Sequence, residues 1–206
     1  MKRITLVLVI LCSAYLSFAQ LSGGAKAGIN LASMYFKSDD QTETTDMVIG
    51  FQLGGYLNYK ISETFIFQPE LVFSRLGGKE SEYDPNSQEE IDVQFKLNYL
   101  AVPLNFKFQV NENFGLLVGP QIGFMVGAKA KVDFFGSSVE VDVKDQFKGI
   151  DFGGNIGLSY TINKLGFDAR YYLGFSNIGD FDEDIGDGKI MNRAIQLSVY
   201  YQLFSK

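Results

Sequence analysis

The chain has 206 residues, is 46% hydrophobic and 15% aromatic, and carries a formal net charge of −6 at pH 7. This acidic balance argues against nucleic acid as a partner. The chain contains no histidine and a single cysteine, which excludes Ser–His and His–Asp catalytic pairs and a disulfide framework. We therefore expect no enzymatic activity and no cofactor.

The first 19 residues have the pattern of a cleavable secretory signal. A basic pair precedes the apolar stretch 4–11, and small residues at the −3 and −1 positions predict cleavage between Ala19 and Gln20. The apolar stretch is shorter than the roughly 20 residues that a membrane-spanning helix needs, which favours a removed leader over an anchor. Residues 20–206 then have the length of one domain.

Apolar and polar residues alternate along eight segments of the remaining chain. These segments are 24–36, 48–60, 64–76, 95–108, 114–127, 150–162, 165–176 and 193–204. Successive side chains of a strand point to opposite faces, so each segment predicts a strand with one apolar face and one face of polar residues and glycine. The chain offers no helix or second sheet to cover the apolar face. The sequence therefore predicts an all-β, eight-stranded, antiparallel up-and-down transmembrane β-barrel with its apolar face toward lipid.

The connections between these strands alternate in length. Tight turns fall near 61–63, 109–113 and 163–164, whereas the long segments are 37–47, 77–94, 128–148 and 177–191. Outer-membrane barrels have short periplasmic turns and long external loops, so we expect the four acidic or polar long segments outside the cell. Within the third of them, valines alternate with charged residues from 139 to 144, which predicts a hairpin that extends outward.

Two further patterns concern the strands themselves. Outward aromatic residues cluster at the turn end and predict an aromatic girdle: Tyr59, Phe65, Phe67, Phe106, Phe108, Phe114, Tyr160 and Phe167. Three prolines lie inside predicted strands: Pro69, Pro103 and Pro120. Because proline cannot donate to the ladder, we expect a bulge or a missing hydrogen bond at each.

Four segments together resemble a known family. They are YLAVPLNFKF (99–108), LLVGPQIGF (116–124), FGGNIGLSY (152–160) and DARYYLGFSNI (168–178), preceded by the leader ending SFAQ (17–20). In this order they are similar to the small outer-membrane β-barrel proteins of the Bacteroidota, an OmpA/OmpX-like group that includes PorT-like proteins. The resemblance implies an eight-stranded barrel in the outer membrane and, for most members, no known biochemical activity.

Seven charged residues fall on the inward rows of the predicted strands: Lys26, Lys60, Glu70, Lys107, Asp151, Asp168 and Arg170. They predict either a charged pore or an ion network that fills the barrel. An eight-stranded interior is only wide enough for its own side chains, which favours the plug. We expect Arg170 to pair with Glu70, or else with Asp168.

Other candidate sites lie in the long segments. Asp180, Asp182 and Asp184 have the 1-3-5 spacing of a calcium loop, but the glycine and glutamate that an EF-hand needs are missing, so a solvated acidic loop is favoured over a metal site. Phe134 and Phe135, near the tip of the predicted hairpin, are the candidate contact point for a protein partner.

These patterns favour an outer-membrane protein with a structural or interaction role. Its partners would be membrane lipid and a protein bound through the external loops. A narrow channel for ions or small solutes, and an accessory component of a secretion machinery, are the alternatives. A soluble lipocalin-like barrel would place its apolar residues inside, which the inward lysine, asparagine and glutamine residues oppose.

Overall fold

The computed structural model of the protein describes residues 21–38, 42–84, 89–134, 137–180 and 188–205. The strands are β1 (Leu21–Lys37), β2 (Thr42–Thr44), β3 (Val48–Lys60), β4 (Phe65–Asp84), β5 (Glu89–Gln109), β6 (Phe114–Phe134), β7 (Ser137–Asp142), β8 (Ile150–Ile162), β9 (Leu165–Gly174) and β10 (Lys189–Ser205). A 3-10 turn, Lys144–Gln146, follows β7. Within these ranges, no helix is long and apolar enough to cross a membrane.

The strands form one antiparallel sheet that closes on itself. Neighbours follow the order β10-β9-β8-β6-β5-β4-β3-β1, and β1 also pairs with β10 from Ser22↔Ser205 to Lys37↔Lys189. The sheet has ten strands where the alternation predicts eight, because two short strands lie in the long connections. Of these, β2 pairs with β1 and β7 pairs with β6. The ring has a turn end, where the tight connections lie, and a loop end, where the long ones lie.

Alternation along each strand separates two faces of the ring. Val118 and Ile156 on the outer face are 58% and 64% exposed, whereas Gln121 and Asn155 on the inner face are 3% exposed. This is the reverse of a soluble barrel, whose apolar side chains fill the interior. The outer face is therefore suited to lipid and the inner face to a polar filling.

The turn end carries an aromatic girdle on the outer face. The predicted residues are cross-strand neighbours: Tyr59 with Phe67, Phe65 with Phe108, Phe67 with Phe106, and Tyr160 with both Phe114 and Phe167. In the two Phe–Phe pairs the ring centroids are 5.2 Å apart. Aromatic rings at this level are typical of the membrane–water interface of outer-membrane barrels.

Arginine marks the opposite edge of the apolar band. Along β4 the outward residues are apolar from Phe65 to Phe73, and the next outward residue is Arg75. Its guanidinium lies 5.0 Å from the ring centroid of Phe51. The stretch from Phe65 to Phe73 is about as long as the roughly 9–11 residues with which a tilted strand crosses a bilayer. Everything beyond Arg75 on β4 therefore lies past the apolar band.

The segment 77–94, predicted as a polar loop, is instead a hairpin. β4 continues to Asp84 and β5 starts at Glu89, in register throughout. Lys79 Nζ lies 2.8 Å from Asp92 Oδ2 across the two strands. Charged residues on both strands thus pair across the hairpin, which is why a charged segment without apolar alternation still forms strand. The hairpin expected within 128–148 is present as the end of β6 and β7.

Three prolines interrupt the ladder at neighbouring points: Pro69 in β4, Pro103 in β5 and Pro120 in β6. The same gap occurs in the interfaces β3–β4, β4–β5 and β5–β6. In each interface two consecutive residue pairs are not bonded, one of these pairs contains a proline, and the ladder then resumes in the same register. The prolines thus remove ladder hydrogen bonds and make no bulge. The register shifts of the ring lie elsewhere, at Gly23/Gly24 and Asn98/Tyr99.

Candidate functional site: the barrel interior and the loop-end sheet

Four charged side chains meet in the middle of the interior. Lys26 Nζ lies 3.1 Å from Glu70 Oε2 and 2.9 Å from Asp168 Oδ2. Arg170 Nη2 lies 2.5 Å from Glu70 Oε1 and 2.6 Å from Asp168 Oδ2. All four side chains are at most 2% exposed. Each cation contacts both carboxylates, so this group, which we call the charge tetrad, is electrically balanced.

Two neutral side chains add hydrogen bonds to Glu70 of the tetrad, whereas Asp168 Oδ1 and Arg170 Nε have no hydrogen-bond partner among the described residues. Gln68 Nε2 donates to Glu70 Oε1 at 2.7 Å, and Asn105 Nδ2 donates to the same oxygen at 3.3 Å. Both amides are inward residues of β4 and β5, and both are buried. Additional hydrogen bonds of this kind are what make a buried ion network tolerable.

Asp151 does not join the tetrad. Its carboxylate accepts hydrogen bonds from Asn192 Nδ2 at 2.9 Å and from Ser176 Oγ at 3.1 Å. Asn192 also donates to the hydroxyl of Tyr99 at 3.1 Å. No basic side chain of the described residues forms an ion pair with Asp151. Asp151 therefore lies apart from the tetrad with which it was predicted to form one network. Arg170 pairs with Gly157 of β8, and Asp151 is three inward positions nearer the loop end on the same strand.

Lys60 and Lys107 also lie apart from the tetrad, at the turn end. Lys60 is the last residue of β3 and is exposed. Lys107 is 5% exposed, and its ammonium donates to Thr161 Oγ1 and Tyr200 Oη, each at 3.4 Å. The inward row of seven charges is thus divided by height along the barrel axis. Four residues meet at mid-height, two are at the turn end and Asp151 is toward the loop end.

An apolar cluster fills the loop end of the interior, which the alternation did not predict. Its members are inward residues near the strand ends together with residues of the loops: Ala32, Met34, Val48, Leu76, Leu97, Tyr99, Met125, Ala128, Ala130, Val143, Phe147, Tyr172, Ile178, Ile190 and Ala194. Ile178, four residues after the end of β9, is fully buried, and Phe147 is 7% exposed. A bridge between Phe147 and Gly179 and a hydrogen bond from Ile178 N to Ile190 O hold these loops over the opening.

Beyond the apolar band, β4 to β7 continue as a four-stranded extension, residues 77–84, 89–96, 128–134 and 137–142, which we call the loop-end sheet. Valines occupy the side of this sheet that continues the inner face. Val132 lies opposite both Val93 and Val139, and Val141 lies opposite Ala130. Val139 and Val141 are 49% and 51% exposed. The sheet thus presents half-exposed apolar side chains above the mouth of the barrel.

The other side of the loop-end sheet carries cross-strand ion pairs. Lys96 Nζ lies 2.5 Å from Glu140 Oε1, and this hydrogen bond holds the pKa of the exposed Glu140 carboxyl below its usual value. The hydrogen bond from Lys79 likewise lowers the pKa of Asp92, with Ser81 adding a second hydrogen bond. Glu140 and Asp92 are therefore charged and paired across strands, which helps to fix the register of the sheet.

The remaining predicted positions are only partly described. Asp180 is exposed, and its backbone N–H donates to Gln146 O at 3.0 Å. Asp182, Asp184 and Phe135, and the side chain of Phe134, lie outside the described residues, as does the predicted leader with Ala19 and Gln20. Among the residues that the structure describes, no group of three or more acidic, cysteine or histidine side chains could hold a metal ion.

Comparison with known proteins identifies the architecture. A family model described as outer membrane protein beta-barrel domain matches residues 18–180. Neisserial surface protein A (NspA) has a TM-score of 0.51 and 16% identity, over 87% of this chain and 97% of that one. The attachment invasion locus protein Ail of Yersinia pestis has a TM-score of 0.47 and 20% identity, over 88% and 98% of the two chains. The N-terminal domain of OprF from Pseudomonas aeruginosa has a TM-score of 0.36 and 14% identity, over 88% and 99%. No protein of curated function matches the chain.

Proposed function

Because the chain belongs to the outer membrane protein beta-barrel domain family, we propose that it is a closed outer-membrane scaffold that binds another protein through its loop-end sheet. The eight long strands of the ring form the transmembrane barrel, from residue 20 onward, after removal of the leader 1–19. The turn end faces the periplasm and the loop end faces outside. The length asymmetry of the connections and the girdle at the turn end support this orientation.

Two barriers close the interior in this proposal. The charge tetrad occupies the middle, with its four side chains at most 2% exposed. The apolar cluster under Phe147 and Ile178 fills the loop end. A water path would have to separate the tetrad, leaving buried charges unpaired, and also pass through apolar packing. This argues against the narrow channel. The secretion-machinery role stays a prediction from the resemblance.

The observation that carries the proposal is the contrast between this filled interior and the exposed loop-end sheet. The half-exposed Val139 and Val141 extend the inner face above the mouth of the barrel, and the paired charges lie on the opposite side of the same sheet. Half-exposed apolar side chains that are grouped on one face, on the solvent side of a membrane protein, are typical of protein interaction sites. This also shifts the predicted contact point from the tip at Phe134 and Phe135 to the adjoining strand.

Site-specific photo-crosslinking in living cells tests the proposal. A photoreactive residue at Val139 should give discrete protein adducts on irradiation. The same residue at Val118, which is similarly exposed but faces lipid, should give none. The purified protein should also show no discrete conductance in planar bilayers. Absence of protein adducts at Val139, together with stable single channels, would overturn the scaffold and favour the channel.

A further inference from the structure

The turn end of the barrel contains an open cavity of about 800 Å³. Most of the residues that line it are polar, and they include serine, asparagine and glutamine. Lys107, Thr161 and Tyr200 lie on its inner wall, and Lys60 lies at its exposed rim. A ligand could therefore reach these three inner residues from solvent without crossing the tetrad.

Lys107 differs from the other buried cations in having no anionic partner. Lys26 and Arg170 each contact two carboxylates, whereas no carboxylate of the described residues forms an ion pair with Lys107. Its ammonium, in a residue 5% exposed, donates to the hydroxyls of Thr161 and Tyr200 and lies 5.8 Å from the centroid of the Tyr200 ring. Buried charges are normally paired, so this position lacks the counter-charge that the rest of the interior supplies.

The three polar groups are held in place before any ligand binds. Thr161 Oγ1 and Tyr200 Oη are 2.6 Å apart, so each hydroxyl is within reach of the same small group. A Cβ at Gly166 would lie 2.0 Å from the Tyr200 ring, and one at Gly115 would lie 2.7 Å from Lys107 Cε. Glycine at these two positions leaves the space that the tyrosine ring and the lysine stem occupy.

We propose that this cavity is an oxyanion site, in which the Lys107 ammonium and the hydroxyls of Thr161 and Tyr200 bind one carboxylate or phosphate group. The ammonium supplies the charge. One of the two hydroxyls donates to the other at 2.6 Å, so the accepting hydroxyl keeps its own hydrogen to donate to an anion oxygen. Glu63 and Glu112 lie with Lys60 at the exposed rim, so the rim carries charges of both signs. This arrangement favours a small, singly presented anionic group over an extended polyanion.

The test is an anion titration of the full mature protein in detergent micelles, followed by two-dimensional NMR at constant ionic strength. Inorganic phosphate and acetate are titrated separately, which distinguishes the two sources of oxyanion, with chloride as the reference salt. We expect saturable shifts confined to Lys107, Thr161 and Tyr200, with an affinity on the order of millimolar. Lys107→Gln should weaken binding at least about tenfold, which is about 1.4 kcal/mol.

Matched variants separate binding from folding and from net charge. Lys164→Gln removes one positive charge at the same end but outside the cavity, and should bind as the wild type does. Tyr200→Phe keeps the ring that packs on Gly166 and removes only the hydroxyl, so it should fold normally and bind several-fold more weakly. No saturable shift with either anion, or equal losses in Lys107→Gln and Lys164→Gln, would overturn the site.

Discussion

At the scale of single residues, two valines of similar exposure lie in different solvents. Val118 is 58% exposed within the apolar band, and Val139 is 49% exposed on the loop-end sheet beyond it. Exposure alone cannot distinguish the two positions. Their place relative to the girdle and to Arg75 does, because it puts one against lipid and the other against water.

Arginine substitutions at these valines should therefore differ in effect. Val118→Arg places a charge near the middle of the lipid band and should destabilise the barrel by about 2–4 kcal/mol. Val139→Arg should change stability by less than about 0.5 kcal/mol, as surface substitutions usually do. Urea unfolding of each variant in lipid vesicles measures both values. Equal stability losses at the two sites would contradict the assigned lipid face.

The charge tetrad gives a second prediction at this scale. Arg170→Met leaves two buried carboxylates against one ammonium and should destabilise the protein by about 3–5 kcal/mol. Adding Glu70→Gln restores the balance, because the Lys26–Asp168 pair at 2.9 Å remains. We expect the double variant to recover much of the loss in the same unfolding assay. Strictly additive losses would show that the four side chains are not one network.

At the scale of strands, the sequence predicts the ring better than its extensions. The eight predicted segments all fall on long strands, because a face that meets lipid imposes strict alternation. The hairpin at 77–94 was missed because its strands are stabilised by cross-strand charge pairs such as Lys79–Asp92, which leave no apolar period to detect. The apolar cluster at the loop end was missed since inward alanine and methionine are not distinguished from outward ones by alternation alone.

Alternation is also an incomplete guide to the residues of the candidate site. The alternation of inward and outward residues correctly places four charged residues on the interior face: Lys26, Glu70, Asp168 and Arg170. It carries no information on how far along the barrel axis each of them lies. Strand register fixes that position, and register depends on the turns and on the bulges, which the alternation did not locate. This is why Asp151 and Lys107 were grouped with residues that they do not contact.

The loop-end sheet should respond to acid through its ion pairs. The folded-state pKa of Glu140 is lowered by Lys96, so the pair stabilises β7 above the usual pKa of glutamate. That contribution disappears as pH falls through the lowered pKa. NMR titration should show Glu140 protonating below its ordinary pKa in the wild type and closer to it in Lys96→Gln. An unchanged Glu140 pKa in the variant would contradict the pairing.

At the scale of the whole molecule, the barrel separates two surfaces. The turn end carries the girdle and the cavity at Lys107, and the loop end carries the apolar cluster and the loop-end sheet. Between them lie the charge tetrad and the apolar cluster, which close the interior in the proposed scaffold. In the proposed orientation, the two surfaces meet different compartments, and each presents one of the proposed binding sites.

The most direct test of this account is cysteine labelling on intact cells with a membrane-impermeant maleimide. The native cysteine, Cys12, lies in the predicted leader, so single substitutions can be examined without background. We predict that Ser138→Cys, on the loop-end sheet, reacts on intact cells, and that Lys164→Cys, in the β8–β9 turn, reacts only after the outer membrane is opened. Labelling of Lys164→Cys on intact cells, with Ser138→Cys protected, would contradict the proposed topology.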